Sequence, residues 1–253
     1  MQTAAALRFE IEHTLASRFP AALTPQPQTI YEVAGCGIPS VNALLDGGLP
    51  VGAISEVTGP ESSGRTSLAL SFLAQQTHEG KVCAWVDVND ALDPESAAAS
   101  GVSLRQLLWV RCKDADRAAN RKHWARLDQA LKAVDLILQA AGFAAIVLDL
   151  GSVAAEHANR IPLATWFRFR QAAQRSRASL VVLGRMAYAQ SSAAVVLECE
   201  RESRTTEAAT VLNGFRFSVR RQRQRFAHGL SSNRKPPAST WSASGSWDSA
   251  RRA

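Results

Sequence analysis

The chain has 253 residues, of which 46% are hydrophobic and 20% are charged, so it is long enough and apolar enough to bury a substantial core. It contains no stretch of about eighteen consecutive apolar residues, so no membrane-spanning helix is expected. The four cysteines lie far apart without a C-x-x-C pair, which argues against a zinc site and a disulfide framework. That cysteine usage is typical of a reducing cytoplasm, where we expect the protein to reside.

The net charge of +7 is concentrated at one end of the chain. From Arg220 onward there are eight Lys or Arg residues and one acidic residue, so this segment accounts for the whole excess. The rest of the chain is neutral overall, so its net charge does not predict general binding of nucleic acids. The basic cluster is predicted either to bind DNA or an acidic partner or to be a solvated strand end. Its members are Arg220, Arg221, Arg223 and Arg225.

Residues 1–30 are predicted to form a helical arm and a linker. Leu7, Ile11 and Leu15 recur at the four-residue spacing of a helix face. Three prolines between residues 20 and 27 then interrupt regular structure. We therefore expect an arm that is separate from the core.

Residues 31–226 alternate between strand and helix patterns and are predicted to form the core. Short apolar runs predict buried strands at 53–57, 82–88, 144–149 and 179–184. Helical patterns occupy 38–45, 66–74, 121–140 and 162–177. The alternation predicts an α/β fold, with a mostly parallel sheet covered by helices on both faces.

The end of the chain has a different character. Asn213-Gly214 between two strand-like runs predicts a C-terminal hairpin that turns at these two residues. Residues 227–253 are rich in Ser, Pro and Arg and are predicted to be a disordered basic tail. Trp241 and Trp247 within it are predicted to dock on a partner, because isolated tryptophans are unfavourable in water.

The segment 59–66 matches the phosphate-binding P-loop pattern G-x-x-x-x-G-K-[ST] at every position except the lysine. Its residues are Gly59, Pro60, Glu61, Ser62, Ser63, Gly64, Arg65 and Thr66. The glycines let backbone N–H groups point at phosphate oxygens, and the following helix adds its positive N-terminal end. A strand before the loop and a helix after it favour a true P-loop over a Gly/Ser-rich turn without a ligand.

A second acidic residue completes the predicted nucleotide site. Asp149 ends the apolar run 145–148, where P-loop enzymes place an acid that holds Mg²⁺. The Thr66 hydroxyl would supply another ligand of the same ion. The sequence therefore predicts ATP and Mg²⁺ as cofactors, although an acid at a strand end also commonly caps a helix.

The stretch 47–94 resembles the ATP-binding core of the RecA recombinase family. The resemblance is carried by Gly47-Gly48-Leu49-Pro50, by the P-loop and by Ala91-Leu92-Asp93-Pro94. It implies a RecA-like fold, and it implies that Asp93 contacts the adenine amino group. More weakly, it extends from about residue 5 to residue 200, so that the N-terminal arm is similar to the one with which the family packs on a neighbouring subunit.

The departures from the family pattern fall on functional positions. Arg65 replaces the P-loop lysine, Asn89 stands at the position of the catalytic glutamate, and Ser96 replaces the aromatic residue that stacks on adenine. An amide cannot accept a proton from water, and general-base catalysis contributes roughly 10²–10⁴-fold. Asp90 is adjacent, but a shift of one residue points its side chain elsewhere. No catalytic residue is therefore assigned, and we expect weak ATPase activity or none.

The two DNA-binding loops of the family are not matched. About a dozen residues follow Asp149 before the helix at Pro162, and the chain re-enters a strand soon after Leu183. The glutamine that senses the γ-phosphate is matched by Gly184 or Arg185. Loops tolerate deletion, so one shortened loop would indicate little. The two loops and the glutamine all serve the same recombinase activity, and three changes together favour the loss of that activity.

Shortened loops and an altered site are similar to those of the ImuA group of RecA-like accessory proteins. That resemblance implies a non-catalytic role in SOS-induced mutagenic translesion DNA synthesis. The implied partners are RecA, a Y-family polymerase-like protein and an error-prone replicative polymerase, with DNA as a further partner of the basic end. Two alternatives remain at this stage, a DNA-stimulated ATPase of the recombinase type and a SulA-like inhibitor of cell division.

Overall fold

A computed structural model describes residues 32–112, 122–207, 211–225 and 238–244. The predicted N-terminal arm and Trp247 lie outside these residues. None of the described helices is both long enough and apolar enough to cross a bilayer.

Eight strands form one mixed sheet with the order β10-β9-β8-β3-β7-β6-β4-β5. The six strands from β8 to β5 run parallel, and β9 and β10 are antiparallel additions at the other edge. Two short strands, β1 (Val33–Ala34) and β2 (Leu49–Pro50), pair separately. The sheet strands are β3 (Ile54–Thr58), β4 (Cys83–Asp87), β5 (Leu107–Arg111), β6 (Ala145–Asp149), β7 (Ser179–Gly184), β8 (Ala193–Glu207), β9 (Val211–Gln224) and β10 (Ala238–Ser244). The mostly parallel α/β prediction is confirmed.

Helices cover both faces of the sheet. The described α-helices are α1 (Pro39–Leu44), α2 (Arg65–His78), α3 (Pro94–Ala99), α4 (Lys122–Ala140), α5 (Ala155–Ala158) and α6 (Leu163–Ser176). Apolar residues of α1, α2 and α3 join one buried cluster, and those of α4 and α6 join the cluster on the opposite face. Strands β3, β4 and β7 are buried along their whole length, as expected when both faces are covered.

The predicted turn at Asn213-Gly214 is wrong. Strand β9 runs straight through these two residues, and Gly214 pairs with both Thr205 and Ser244. The hairpin instead reverses between Glu207 and Val211, which are the last paired residues of β8 and β9. The ladder skips Asn213 between its pairs at Gly214 and Leu212, so the dipeptide forms an irregularity within the strand.

The prediction of disorder is wrong for residues 238–244. This segment forms β10, which pairs with β9 in the register Trp241↔Phe217. Trp241 is 9% exposed, and its ring centroid lies 5.3 Å from that of Phe217. Burial of a large aromatic surface together with pairing to an open strand edge gives this polar segment its structure.

All four cysteines are free and buried. Burial raises the pKa of the Cys36, Cys83 and Cys199 thiols to about 12 and that of Cys112 to about 11. Burial disfavours the charged thiolate, so these side chains act as small apolar residues of the core.

Candidate nucleotide site

The P-loop lies at the carboxyl end of β3, in the middle of the sheet. Gly59 follows the last strand residue and has φ 146°, and a Cβ placed on it would lie 2.3 Å from the carbonyl oxygen of Cys199. Gly64 has φ 93° and precedes the first residue of α2. Both conformations are readily adopted only by glycine. The loop is thus tightly folded at both glycines, as the phosphate-binding pattern requires.

Arg65 is buried beneath this loop, with 8% of its surface exposed. Its Nη1 atom has no hydrogen-bond partner in the described part of the chain. Burial lowers the pKa of the guanidinium, and the negative charge of Asp149 opposes that shift. The guanidinium is therefore a buried charge with an unsatisfied donor, next to the carboxylate of Asp149.

Asp149 ends β6, where it is paired in register with Asp87 on β4 and Leu183 on β7. Its Oδ1 atom accepts a hydrogen bond of 2.8 Å from the Gly151 N–H. Burial raises the pKa of this carboxyl, and the nearby charge of Asp87 acts in the same direction. The Gly151 hydrogen bond and Arg65 act in the opposite direction.

A cavity of about 330 Å³ brings most of the predicted site together. Its lining includes the predicted residues Glu61, Ser62, Arg65, Thr66, Asp93 and Asp149, together with Ser96. Asn89 is half-buried and is not part of the lining. The fold therefore places the P-loop, the strand-end acid and the predicted adenine contact around one space.

Asp93 has a structural role besides its predicted contact with adenine. It is the N-cap of α3 and accepts hydrogen bonds from the backbone N–H groups of Glu95 and Ser96, at 3.3 and 3.1 Å. The Ser96 hydroxyl also donates to it, which lowers the pKa of the Asp93 carboxyl. The serine at the stacking position thus supports the cap of the helix.

The carboxylates near Asn89 already have partners. Both oxygens of Asp87 accept backbone N–H groups, from Ala91 at 3.0 Å and from Leu92 at 2.8 Å. Asp90 forms an ion pair with Arg111 on β5. That Asp90 does not replace the missing glutamate stays a prediction.

The segment after β7 is held in place by a carboxylate that the sequence did not single out. Glu56 is buried in β3, and its Oε1 accepts the N–H groups of Tyr188 and Ala189, at 2.5 and 2.8 Å. The Tyr188 ring packs so closely on Gly184 that a Cβ there would lie 2.6 Å from it. The short segment in place of the second DNA-binding loop is therefore packed against the core.

Aromatic side chains of β9 form a second wall beside the P-loop. Phe215 and Phe217 line a neighbouring cavity of about 260 Å³ together with residues 62–67. A Cβ on Gly64 would lie 2.7 Å from the Phe217 ring. The only sequence signal for this wall was the alternation of Phe215 and Phe217 on one strand face, which does not reveal what they contact.

The basic cluster makes contacts within the chain. Arg220 forms an ion pair with Glu198, and Arg221 donates to the carbonyl oxygen of Leu44 at 2.9 Å. Arg223 and Arg225 donate to the carbonyl oxygens of Gln190 and Ser191, respectively. These contacts favour the strand-end interpretation for the cluster, and its binding to DNA stays a prediction.

The residues of the cavity suit both phosphate and Mg²⁺. The guanidinium of Arg65, which lines the cavity, suits an anion. Thr66 and Asp149 also line the cavity, so a hydroxyl and a carboxylate are present for a Mg²⁺ ion that takes its remaining ligands from phosphate and water.

Comparison with solved structures supports the fold. A crystal structure of the RadB recombinase aligns with a TM-score of 0.58 over 82% of this chain and 94% of that chain. The sequence identity is 16%, so this likeness concerns the fold alone.

Comparison with known sequences supports the relationship to the RecA family that the residues around the P-loop indicated. Protein RecA of Ectopseudomonas oleovorans is 43% identical over 113 residues, which are 45% of this chain and 28% of that protein. Protein RecA of Colwellia psychrerythraea (strain 34H) is 41% identical over 113 residues, which are 45% of this chain and 29% of that protein. The aligned part thus covers less than a third of either relative. The model of the RecA N-terminal domain matches residues 10–160, which is more than half of the chain, and the protein therefore belongs to the RecA N-terminal domain family.

Proposed function

We propose that this protein is a non-catalytic RecA-like accessory protein in SOS-induced mutagenic translesion DNA synthesis, where it links RecA with error-prone polymerase components. The proposal rests mainly on the difference between the phosphate-binding loop and the position where the family has its catalytic residue. The phosphate-binding loop lines the cavity with a basic residue, Arg65, in place of the lysine, whereas the position of the catalytic glutamate holds an amide, Asn89, outside the cavity lining. We expect such a protein to bind a nucleotide and not to depend on its hydrolysis.

The segments in place of the two DNA-binding loops support the same proposal. After β6 the chain enters α5 within a few residues, and after β7 the Glu56 carboxylate holds Tyr188 and Ala189. A loop that is packed on the core in this way has little freedom to rearrange around DNA. Such packing would weaken the coupling of nucleotide and DNA that drives a recombinase.

Single-turnover cleavage of ATP, with and without single-stranded DNA, tests this part of the proposal. We expect slow cleavage that single-stranded DNA does not accelerate. Cleavage that is stimulated by DNA and lost in Asp149→Ala would reject the non-catalytic role.

The rival function, a DNA-stimulated ATPase, is favoured by one observation. Asp149 lines the cavity, and burial raises its pKa, which is a property of groups that accept protons in active sites. The same single-turnover experiment separates the two functions, because only the rival requires Asp149 for turnover.

We propose that the link to RecA uses the edge of the sheet together with the N-terminal arm, as one side of a recombinase filament contact. Strand β5 is the last strand of the sheet and pairs only with β4 among the described strands. Leu108 in β5 is 43% exposed. An open strand edge with an exposed apolar residue suits the docking of another chain.

Association with RecA is measured for the full chain, for a deletion of residues 1–25 and for Leu108→Glu. Both changes are expected to weaken the association. The matched control is Leu136→Glu, because Leu136 is 67% exposed but lies on helix α4 and not on strand β5. Unchanged association after both changes would reject this interface.

We propose that recruitment of the polymerase-like partner uses the chain that follows β10. Trp241 is buried against Phe217, so it is unavailable to a partner unless β10 detaches. A truncation after residue 244 keeps β10 and removes Trp247, and we expect it to lose the polymerase-like partner while it still binds RecA. Retained binding of both partners would reject this assignment.

A further inference from the structure

Strand β10 is held to the sheet mainly by one side chain. Trp241 is 9% exposed, whereas Ala238, Thr240 and Ser242 on the same strand are exposed. β10 is the last strand at its edge and pairs only with β9 among the described strands. The indole Nε1 of Trp241 is buried without a hydrogen-bond partner in the described part of the chain, which lowers the stability of the docked strand. β10 thus has the features of an element that opens while the rest of the sheet stays folded.

Phe217 connects β10 to the P-loop. Its ring centroid lies 5.3 Å from that of Trp241. The same ring lies so close to Gly64 that a Cβ there would be 2.7 Å from it. Gly64 has φ 93° and is the N-cap of α2, so the ring packs where the loop becomes the helix. A contiguous path of packed residues therefore leads from β10 to the P-loop.

The cavity beside Phe217 shares one wall with the nucleotide cavity. Ser62, Arg65 and Thr66 line both cavities. Protein interiors are close-packed, so a ring that moves on one side of this wall displaces residues that also face the other side. The position of the Phe217 ring therefore affects the residues that would hold a nucleotide.

We propose that docking of β10 and binding of a nucleotide at the P-loop favour each other. The docked Trp241 holds the Phe217 ring against Gly64, and the ring holds the start of α2 in the shape that the nucleotide requires. When β10 detaches, the ring loses a buried neighbour, and ordering the loop then lowers the affinity for the nucleotide. The inference rests on the proposed function only in that both require the P-loop cavity to hold a nucleotide.

The coupling gives the nucleotide control over the last described strand. Coupling between two sites is reciprocal, so a nucleotide that binds better when β10 is docked also keeps β10 docked, by the same factor. Loss of the nucleotide then makes Trp241 and the edge of β9 available to a partner. The nucleotide site thereby regulates recruitment through the end of the chain and needs no cleavage to do so.

Hydrogen exchange of the full chain, measured by mass spectrometry, tests one direction of the coupling. Saturating ADP with Mg²⁺ is expected to slow exchange of the amides of residues 238–244 by about fivefold. Strand β5 is the control, because it is the other edge strand of the sheet and lines neither cavity. Its exchange should change by less than about twofold. Equal slowing at both edges would reveal a general stabilisation and would contradict the coupling.

Titration calorimetry with ADP tests the other direction. Trp241→Ala in the full chain is expected to weaken ADP binding by about fivefold, because loss of the indole undocks β10. Thr240→Ala is the matched control, since Thr240 is the neighbouring residue with an exposed side chain, and it should bind ADP like the wild type. Wild-type affinity in Trp241→Ala would overturn the proposal.

Trp241→Phe separates packing of the ring from the indole N–H. The phenyl ring can still pack on Phe217, and the buried donor without a partner is removed. ADP affinity should therefore stay within about twofold of the wild type. A loss as large as that of Trp241→Ala would show that contact between the two rings does not carry the coupling.

The failure of this inference and the failure of the proposed function are distinguishable. Association with RecA, measured without nucleotide, is the readout of the proposed function and is independent of the exchange and titration experiments. A chain that shows the coupling but does not bind RecA would reject the proposed function and leave this inference standing. A wild-type chain that does not bind ADP would reject the inference, whatever its association with RecA.

Discussion

The two sides of the candidate site are built differently. On the phosphate side, the P-loop glycines fit against the Cys199 carbonyl and the Phe217 ring with no spare room, and Arg65 is buried beneath them. On the opposite side, Asp90 forms an exposed ion pair with Arg111 beside the amide at Asn89. Tightly packed positions tolerate few substitutions, whereas exposed ion pairs contribute little to the free energy of unfolding. The contrast supports the proposed function, in which a nucleotide is bound and is not cleaved.

Phe217→Ala should have the largest effect, because it removes the ring that packs on Gly64 and Trp241. Phe217 is 5% exposed, and loss of a buried phenylalanine side chain costs about 3–5 kcal/mol. Urea denaturation measures this loss, and nucleotide binding should weaken with it. The control is Phe167→Ala, since Phe167 is 53% exposed and its truncation should change stability by less than about 1 kcal/mol. Similar losses at both positions would contradict the tight packing of the phosphate side.

Gly59→Ala comes next, because the new methyl group would collide with a backbone oxygen that the sheet holds in place. We expect a loss of about 3 kcal/mol in the free energy of unfolding and little remaining nucleotide binding. Gly80→Ala is the matched control, since Gly80 also has positive φ, at 78°, but a Cβ there meets nothing within 4 Å. Its cost should be only that of the backbone conformation, about 1 kcal/mol. Equal losses would mean that space at Gly59 is unimportant.

Glu56→Gln tests the buried carboxylate that holds the segment after β7, through the pH dependence of stability. Burial raises the pKa of Glu56 in the folded state, so the folded chain holds its proton more tightly than the unfolded chain does. The stabilisation linked to this proton is fully present below the unfolded pKa and is lost as pH rises through the folded pKa. The glutamine keeps an oxygen acceptor for Tyr188 and Ala189 but does not titrate. The stability of the wild type relative to Glu56→Gln should therefore fall as pH rises from acidic to neutral, and a constant difference would contradict the raised pKa.

Arg185→Gln should have the smallest effect. The ion pair of Arg185 with Glu61 joins the P-loop to the segment after β7, but both side chains are at least half exposed. Solvent screening limits such pairs, so we expect a change below about 0.5 kcal/mol in the free energy of unfolding. A change well above 1 kcal/mol in the free energy of unfolding would show that this exposed ion pair contributes to stability as much as the packed residues do.

Local patterns in the sequence predicted the features that depend on neighbouring residues. The P-loop, the acid at the end of β6 and the helix that follows Pro162 are each specified within a few consecutive positions. Apolar runs bounded by turns likewise predicted the buried parallel strands. These features need no information about distant parts of the chain.

The features that were missed depend on contacts between distant segments. A Ser-rich stretch around Trp241 becomes a strand because β9 offers a free edge and the Phe217 ring. Asn213-Gly214 is a strong local turn signal, but the long ladder between β8 and β9 overrides it. Glu56 meets the N–H groups of residues more than a hundred positions away, and nothing in the residues around it indicates that contact.

The four buried thiols have a practical consequence. With pKa values of about 11 to 12, almost none of them is ionised at neutral pH, and alkylating dyes react with the thiolate. The native chain should resist labelling and oxidation in air, and each thiol should react only when its surroundings open. Cys36, Cys83 and Cys199 lie in the cluster on one face of the sheet and Cys112 lies in the cluster on the other, so mass spectrometry after a pulse of dye would report which face opens first.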